Sequence, residues 1–339
     1  MKVFIIGGTG LIGSETTREL ISRGHEIIAL ALPPLPKGVV LPKAMKLVYG
    51  NYLKMTDDAL LDLMEGANGF VFAAGIDERV EGPPPIYDLF KRYNIDPLKR
   101  LLDLAKRAGI KHTVICGSYF SYFEKKWPHL KLAKNHPYIR SRIDQEEMAL
   151  SFATEDFNVA ILELPYIFGI QPGRKPVWVF LVDIIKKMKG NTYFPKGGTT
   201  MVTVKQTAQG ICGALEKNQG GNAYPFGYYN MKWKEFFKIV HKAMGYSEKR
   251  KVITVPKFLF KIGSIGIDWK RKRNNIEGGL KMSKFVNLQT AKTFIDPSVG
   301  AKFLGVQEDN IEEAIIASIK LSVEIIENKD SDVIEMKGE

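Results

Sequence analysis

Over the first 170 residues, short apolar runs rich in β-branched residues alternate with longer amphipathic stretches. Val3–Ile6, Ile27–Leu32, Lys46–Tyr49, Gly69–Ala73, Thr113–Cys116 and Val159–Leu164 carry the strand pattern. Between them, Gly13–Arg23, Thr56–Met64, Ile86–Ala108 and Tyr138–Phe152 repeat apolar residues at helical spacing. The start of Ile86–Ala108 reads as a loop, because Pro83–Pro85 precede it and Pro97 interrupts it. Strand and helix in strict alternation predict βαβ units and a doubly wound parallel sheet, an α/β class protein.

The alternation fails after about Gly169. Glycine and proline cluster at Gln171–Pro176 and at Pro195–Thr200, and amphipathic helices return at Trp233–Met244 and Asn310–Glu327. The expected organisation is a sheet domain over residues 1–168 that regains a strand and a helix from about 200–228. Residues 169–199 and 229–330 form a smaller, mixed part that caps it and binds substrate, and 331–339 a frayed tail. The opening apolar run stops at Gly7, too short for a secretory segment. Val177–Ile185 is broken by Asp183, so no membrane span is expected and the predicted location is cytoplasmic.

Composition excludes disorder, collagen and a coiled coil: of 339 residues, 45% are apolar and 25% charged. Two cysteines, Cys116 and Cys212, build no disulfide framework and fit a reducing compartment. The net charge of +12 is local, since residues 231–286 hold 15 Lys and Arg against 4 Asp and Glu. A sheet domain near neutrality does not read as a nucleic-acid protein. Within the basic stretch, apolar Pro256–Trp269 runs into Lys270-Arg271-Lys272-Arg273. The favoured reading is a solvated face; the alternatives are an anionic membrane surface or a phosphorylated or CoA-bearing substrate.

Chemistry enters at the first turn. Lys2-Val3-Phe4-Ile5-Ile6 leads into Gly7-Gly8-Thr9-Gly10-Leu11-Ile12-Gly13 and then helix-forming residues. Strand, glycine turn and helix in that order let backbone approach a pyrophosphate, with the helix N-terminus facing its charge. A Rossmann-type dinucleotide site follows, with Gly7, Gly10, Leu11, Ile12 and Gly13 as contacts. The Gly-x-x-Gly-x-x-Gly wording resembles the extended branch of the short-chain dehydrogenase/reductase superfamily, the NAD-dependent epimerase/dehydratase-like enzymes. Further likenesses run along the chain: Gly50-Asn51-Tyr52-Leu53, Phe72-Ala73-Ala74-Gly75, Asn94, Leu164-Pro165-Tyr166-Ile167-Phe168-Gly169, Trp233-Lys234-Glu235 and Phe303-Leu304-Gly305. The resemblance implies cofactor contacts at Leu32, Asn51, Tyr52, Ala73, Ala74, Gly75, Pro165 and Ile167, and a structural role for Asn94. It also implies a homodimer paired through the Ile86–Ala108 and Tyr138–Phe152 helices.

The same resemblance supplies a catalytic set. Such enzymes need a tyrosine hydroxyl tuned by a nearby cation, with a serine hydroxyl as second hydrogen-bond partner. Tyr-x-x-x-Lys occurs at Tyr87/Lys91, Tyr122/Lys126 and Tyr228/Lys232, where a solvated lysine one turn from a packed tyrosine explains it. The expected place is instead Pro137-Tyr138-Ile139-Arg140-Ser141-Arg142, with Ser118 ending the Ile115-Cys116-Gly117-Ser118 segment twenty positions earlier. The predicted catalytic residues are Ser118, Tyr138 and Arg142, and both Tyr138 and Arg142 also face the cofactor. Arg142 departs from the family's lysine. It keeps the charge but does not readily release a proton.

The cofactor is NAD or NADP. Ala29-Leu30-Ala31-Leu32-Pro33 carries no acidic residue for a ribose diol, and Lys37 follows, which tilts slightly to NADP. The segments where sugar-nucleotide members carry their asparagine and Arg/Asp pair show neither. The leading reading is an NAD(P)-dependent reductase or dehydrogenase of a small, mostly apolar carbonyl or alcohol, lined by Tyr119, Tyr166 and Trp178, with Tyr122 another candidate. Its alternatives are a nucleotide-sugar epimerase or dehydratase and, because of Arg142, a non-catalytic dinucleotide-binding sensor or scaffold. His129 and His136 are candidates to line the site, and no Cys/His/Asp cluster has metal-ligand spacing.

Overall fold

The computed structural model describes residues 1–35, 38–247 and 249–328. Its centre is a seven-stranded sheet: β1 (Lys2–Ile6), β2 (Glu26–Ala31), β3 (Met45–Tyr49), β4 (Gly69–Phe72), β5 (His112–Cys116), β6 (Asn158–Glu163) and β7 (Gly221–Pro225). The order is β7-β6-β5-β4-β1-β2-β3, with every neighbouring pair parallel. The chain leaves β1 toward β2 on one side and returns to β4 on the other, so the sheet has its switch point between β1 and β4. The chain comes back to the sheet through the Val204–Lys217 helix and β7.

Alternation along β1 shows why both faces are covered. Val3 and Ile5 pack on Leu20, Ile211 and Leu215, whereas Phe4 and Ile6 point the other way onto Leu60, Leu98 and Leu101. Each of the six sequence-read strands lies within a residue or so of an observed one. The Ile86–Ala108 region differs. A helix begins at Ile86 where a loop was expected, and Lys91–Ile95 forms one π turn before the helix Asp96–Arg107. The wide turn comes just ahead of Pro97, whose ring and missing N–H would break an α-helical ladder.

The remaining elements build a cap. Strand Gly198–Thr203 is flanked by Tyr166–Phe168, Tyr229–Lys232 and Lys292–Thr293. Helices Val179–Lys187, Trp233–Ala243 and Ile311–Glu327 cover it around Phe168, Trp178, Phe236, Phe237 and Ile315. Residues 257–273 form a seventeen-residue helix that the apolar pattern alone did not announce. No helix among the described residues is long and apolar enough to cross a membrane. The tail 331–339 and Lys37 lie outside the described residues.

Candidate active site

The glycine turn is built as its spacing requires. Gly7 has a φ of +88°, and a Cβ there would lie 2.5 Å from the Ala73 carbonyl oxygen. A Cβ on Gly13 would come within 2.2 Å of the Gly7 carbonyl oxygen, so helix 11–22 packs on the turn only because position 13 has no side chain. Gly10 caps that helix with no side-chain bond, leaving backbone N–H groups free at its N-terminus. Leu11 and Ile12, half-buried, form the first turn.

Two residues that the sequence reading passed over reach this turn from the cap. The Ser14 hydroxyl donates to Gln171 Oε1 at 2.9 Å, and Arg174 Nη2 donates to Thr9 Oγ1 at 2.8 Å. Gln171 Nε2 and Arg174 Nε are buried without a partner. Unpaired donors beside a glycine turn fit an anionic group such as a pyrophosphate. Gln171 and Arg174 sit in a Gly/Pro-rich loop, which is why no periodicity marked them.

The other predicted cofactor contacts sit at the carboxyl ends of the strands, where ligands of open α/β sheets bind. Leu32 follows β2 and is exposed. Asn51 follows β3, its Oδ1 accepting the Leu53 N–H at 2.9 Å. Tyr52 meets Phe72 edge to face, ring centres 6.1 Å apart. Half-buried Ala73 and Ala74 and exposed Gly75 follow β4. Asn94 pins the next residue, accepting the Ile76 N–H at 2.8 Å and donating to its carbonyl at 3.0 Å. Pro165 is buried beyond β6, and half-buried Ile167 pairs with Val202.

Ser118, Tyr138 and Arg142 come together at the ends of β4 and β5, all three buried. Ser118 caps helix 119–126. Tyr138 opens helix 137–150, and Arg142, one turn on, sets its guanidinium carbon 5.9 Å from the Tyr138 ring centre. Arg142 Nη2 donates to the Cys116 carbonyl at the end of β5, while its Nε is buried and unpaired. Its Nη1 is also 3.9 Å from where a Cβ on Gly75 would stand. The cation therefore lies between the tyrosine and the predicted cofactor contacts that follow β4. Burial pushes the Tyr138 hydroxyl above its ordinary range; Arg142 and the Ser118 hydroxyl pull it down, while Glu78 and Asp77 push it up.

Glu78, which no sequence motif marks, is a further titratable side chain beside this set. This half-buried carboxyl is pushed up to about 7, first by burial and then by Asp77, with Arg79 and Arg142 opposing. It lies within electrostatic reach of Tyr119, Tyr138 and Tyr166.

Of the predicted substrate residues, Tyr119 and Tyr166 face each other at 6.1 Å between ring centres. Burial pushes the Tyr119 hydroxyl to about 12, and it sits 3.3 Å from Thr199 Oγ1. Trp178 stacks on Phe168 at 4.2 Å and gives its indole N–H to the Ile167 carbonyl, which places it in the cap core with one edge toward Tyr166. Phe90 and Phe120 pack edge-on against Tyr138. His136 is buried before Tyr138. Its Nδ1 accepts the Lys281 N–H at 3.1 Å, so the neutral ring carries its proton on Nε2. Tyr122 is half-buried against Phe123 with the exposed Lys126 one turn on, 3.0 Å from Nζ to the hydroxyl, the packed tyrosine and solvated lysine expected of them.

A sequence model of the NAD dependent epimerase/dehydratase family matches residues 3–225. The chain belongs to that family. Among its relatives, a UDP-glucose 4-epimerase of Klebsiella pneumoniae is 28% identical over 142 residues, 39% of this chain and 99% of that protein. A sterol-4-alpha-carboxylate 3-dehydrogenase, decarboxylating, of Dictyostelium discoideum is 21% identical over 314 residues, 86% of this chain and 92% of that one. The UDP-glucuronic acid 4-epimerase from Bacillus cereus, solved in complex with NAD, shares the fold with a TM-score of 0.67 at 13% identity, covering 96% of this chain and 99% of that one. The family's nicotinamide dinucleotide fits the residues present. The Gly7–Gly13 turn would hold its pyrophosphate, and Arg142, whose Nε is buried and unpaired, stands at the sequence position of the family's lysine.

Proposed function

We propose that the protein is an NAD-dependent oxidoreductase that interconverts a carbonyl and an alcohol on a small, mostly apolar molecule. The observation that carries this reading is the meeting of Tyr138, Ser118 and Arg142 at the ends of β4 and β5, with Phe90 and Phe120 against the tyrosine. Bound NAD would supply the hydride donor or acceptor. In the reductive direction the protonated Tyr138 hydroxyl gives its proton to the substrate oxygen as that oxygen gains charge, and the Ser118 hydroxyl donates a second hydrogen bond there. The Arg142 cation stabilises the tyrosinate left behind. Because a guanidinium does not readily pass a proton on, return of a proton to Tyr138 falls to solvent and to the nearby Glu78 carboxyl. Neither Ala31 nor Leu32 offers a charge to a ribose, and Lys37, the other ground for the slight tilt to NADP, lies outside the described residues. The NAD in the structural relative supports NAD.

The experiment is a screen of ketones and secondary alcohols with NADH or NAD, read at the nicotinamide absorbance. Turnover should favour apolar substrates. A second reading, favoured by the UDP-sugar relatives, is 4-epimerisation of a nucleotide sugar, in which Tyr138 takes and returns a proton at one carbinol. Conversion of UDP-glucose to UDP-galactose without net NADH change would select it.

A further inference from the structure

The helix Lys257–Arg273 has one face docked and one bare. Phe260 sits 5.8 Å from Phe194 between ring centres, Asp268 accepts the backbone N–H groups of Met282 and Ser283 at 2.9 Å each, and Arg271 donates to the Leu280 carbonyl at 2.9 Å. Phe258, Ile262, Ile265 and Trp269 are spaced four, three and four residues apart and so line the opposite face. They are 65%, 62%, 50% and 61% exposed. Single exposed apolar residues are ordinary, but a row of four on one helix face is not. At 100° per residue, Lys261 and Lys272 flank the row on one side and Arg273 and Lys270 on the other, whereas Lys257 falls between Asp268 and the buried Ser264. The helix's acidic residue, Asp268, is turned inward.

The charge decides what covers this face. A second copy related by a two-fold axis would set the same four cations against their own kind with no carboxylate between them. A lipid surface bearing phosphates answers each cation, while the apolar row and Trp269 enter the boundary between headgroups and acyl chains. We propose that the 257–273 helix lies flat on an anionic membrane surface and docks the enzyme there. The apolar row sets this apart from a merely solvated basic face. The proposal does not depend on which substrate the Tyr138 site turns over.

The test is sedimentation of the full chain with phosphatidylcholine vesicles, with and without phosphatidylglycerol, alongside tryptophan emission. Binding is expected only with the anionic lipid, weakened by high salt, with a blue shift and brominated-lipid quenching that disappear in Trp269→Phe. Lys270→Glu/Lys272→Glu/Arg273→Glu should weaken binding by roughly 100-fold or more, at about fivefold per cation. Phe258→Ser/Ile262→Ser should abolish it. Failure to sediment with anionic vesicles, equal sedimentation with the neutral ones, or charge reversal without effect would each overturn the proposal. So would a dimer in solution that Phe258→Ser splits.

Discussion

The backbone N–H of Tyr138 donates to the carbonyl of Gly279, 3.0 Å away and 141 residues later in the chain. The first turn of helix 137–150, which Pro137 opens, is thus also held from the cap side. A Cβ on Gly279 would stand 2.8 Å from the Glu78 carbonyl oxygen and 3.0 Å from the Tyr138 Cβ. Gly279→Val should therefore displace Tyr138 and lower kcat by about 100-fold, the usual cost of a misplacement near 1 Å. Nucleotide binding at the distant glycine turn should survive, measured by thermal shift with NAD. An unchanged kcat would remove Gly279 from the account.

Arg142→Met takes the partner from the buried Cys116 carbonyl and the cation from Tyr138. Stability should fall by about 1–3 kcal/mol. The Tyr138 hydroxyl should titrate still higher, which ultraviolet difference spectra at alkaline pH would follow. Arg142→Lys restores a compact cation and should recover activity lost in Arg142→Met. If Arg142→Lys turned over far faster than the natural enzyme, the arginine would mark impaired chemistry.

Glu78 loses its proton near neutrality, and its carboxylate then opposes ionisation of Tyr138. The pH profile of kcat/KM should accordingly show a limb near 7 that flattens in Glu78→Gln, with KM for NADH little changed. A limb that stays in Glu78→Gln belongs to another group.

Acid should loosen the same wall through His136. Burial lowers its pKa to about 4 from an ordinary 6.5, so the folded ring stays neutral while the unfolded chain takes up a proton. The stability it contributes is full above about pH 6.5 and is lost as pH falls toward 4, about 3 kcal/mol in all. His136→Asn keeps an acceptor for the Lys281 N–H but does not titrate. Its denaturant midpoint should change less between pH 7 and about 4 than that of the natural chain; an equal change would contradict the assignment.

Much of this fold was legible because the sheet is buried on both faces, so its strands stand out as apolar β-branched runs such as Val3–Ile6. Ser118 and Tyr138 were legible through motif context and Arg142 as the departure from it, and the structure brings them together. Glu78, Gln171 and Arg174 were not. They lie in loops, their roles depend on contacts across 165 residues of sequence in the case of Arg174, and no local period encodes such contacts. The 257–273 helix was obscured because its apolar row faces outward, so it lacks the inward stripe by which helices are read.

Tyr138→Phe tests the central claim most directly. The substitution keeps the ring against Phe90 and Phe120 and removes only the hydroxyl. With the best substrate from the carbonyl and alcohol screen, the nicotinamide absorbance change should fall by about 100- to 10,000-fold while NAD still raises the melting temperature. Full turnover in Tyr138→Phe would contradict the account.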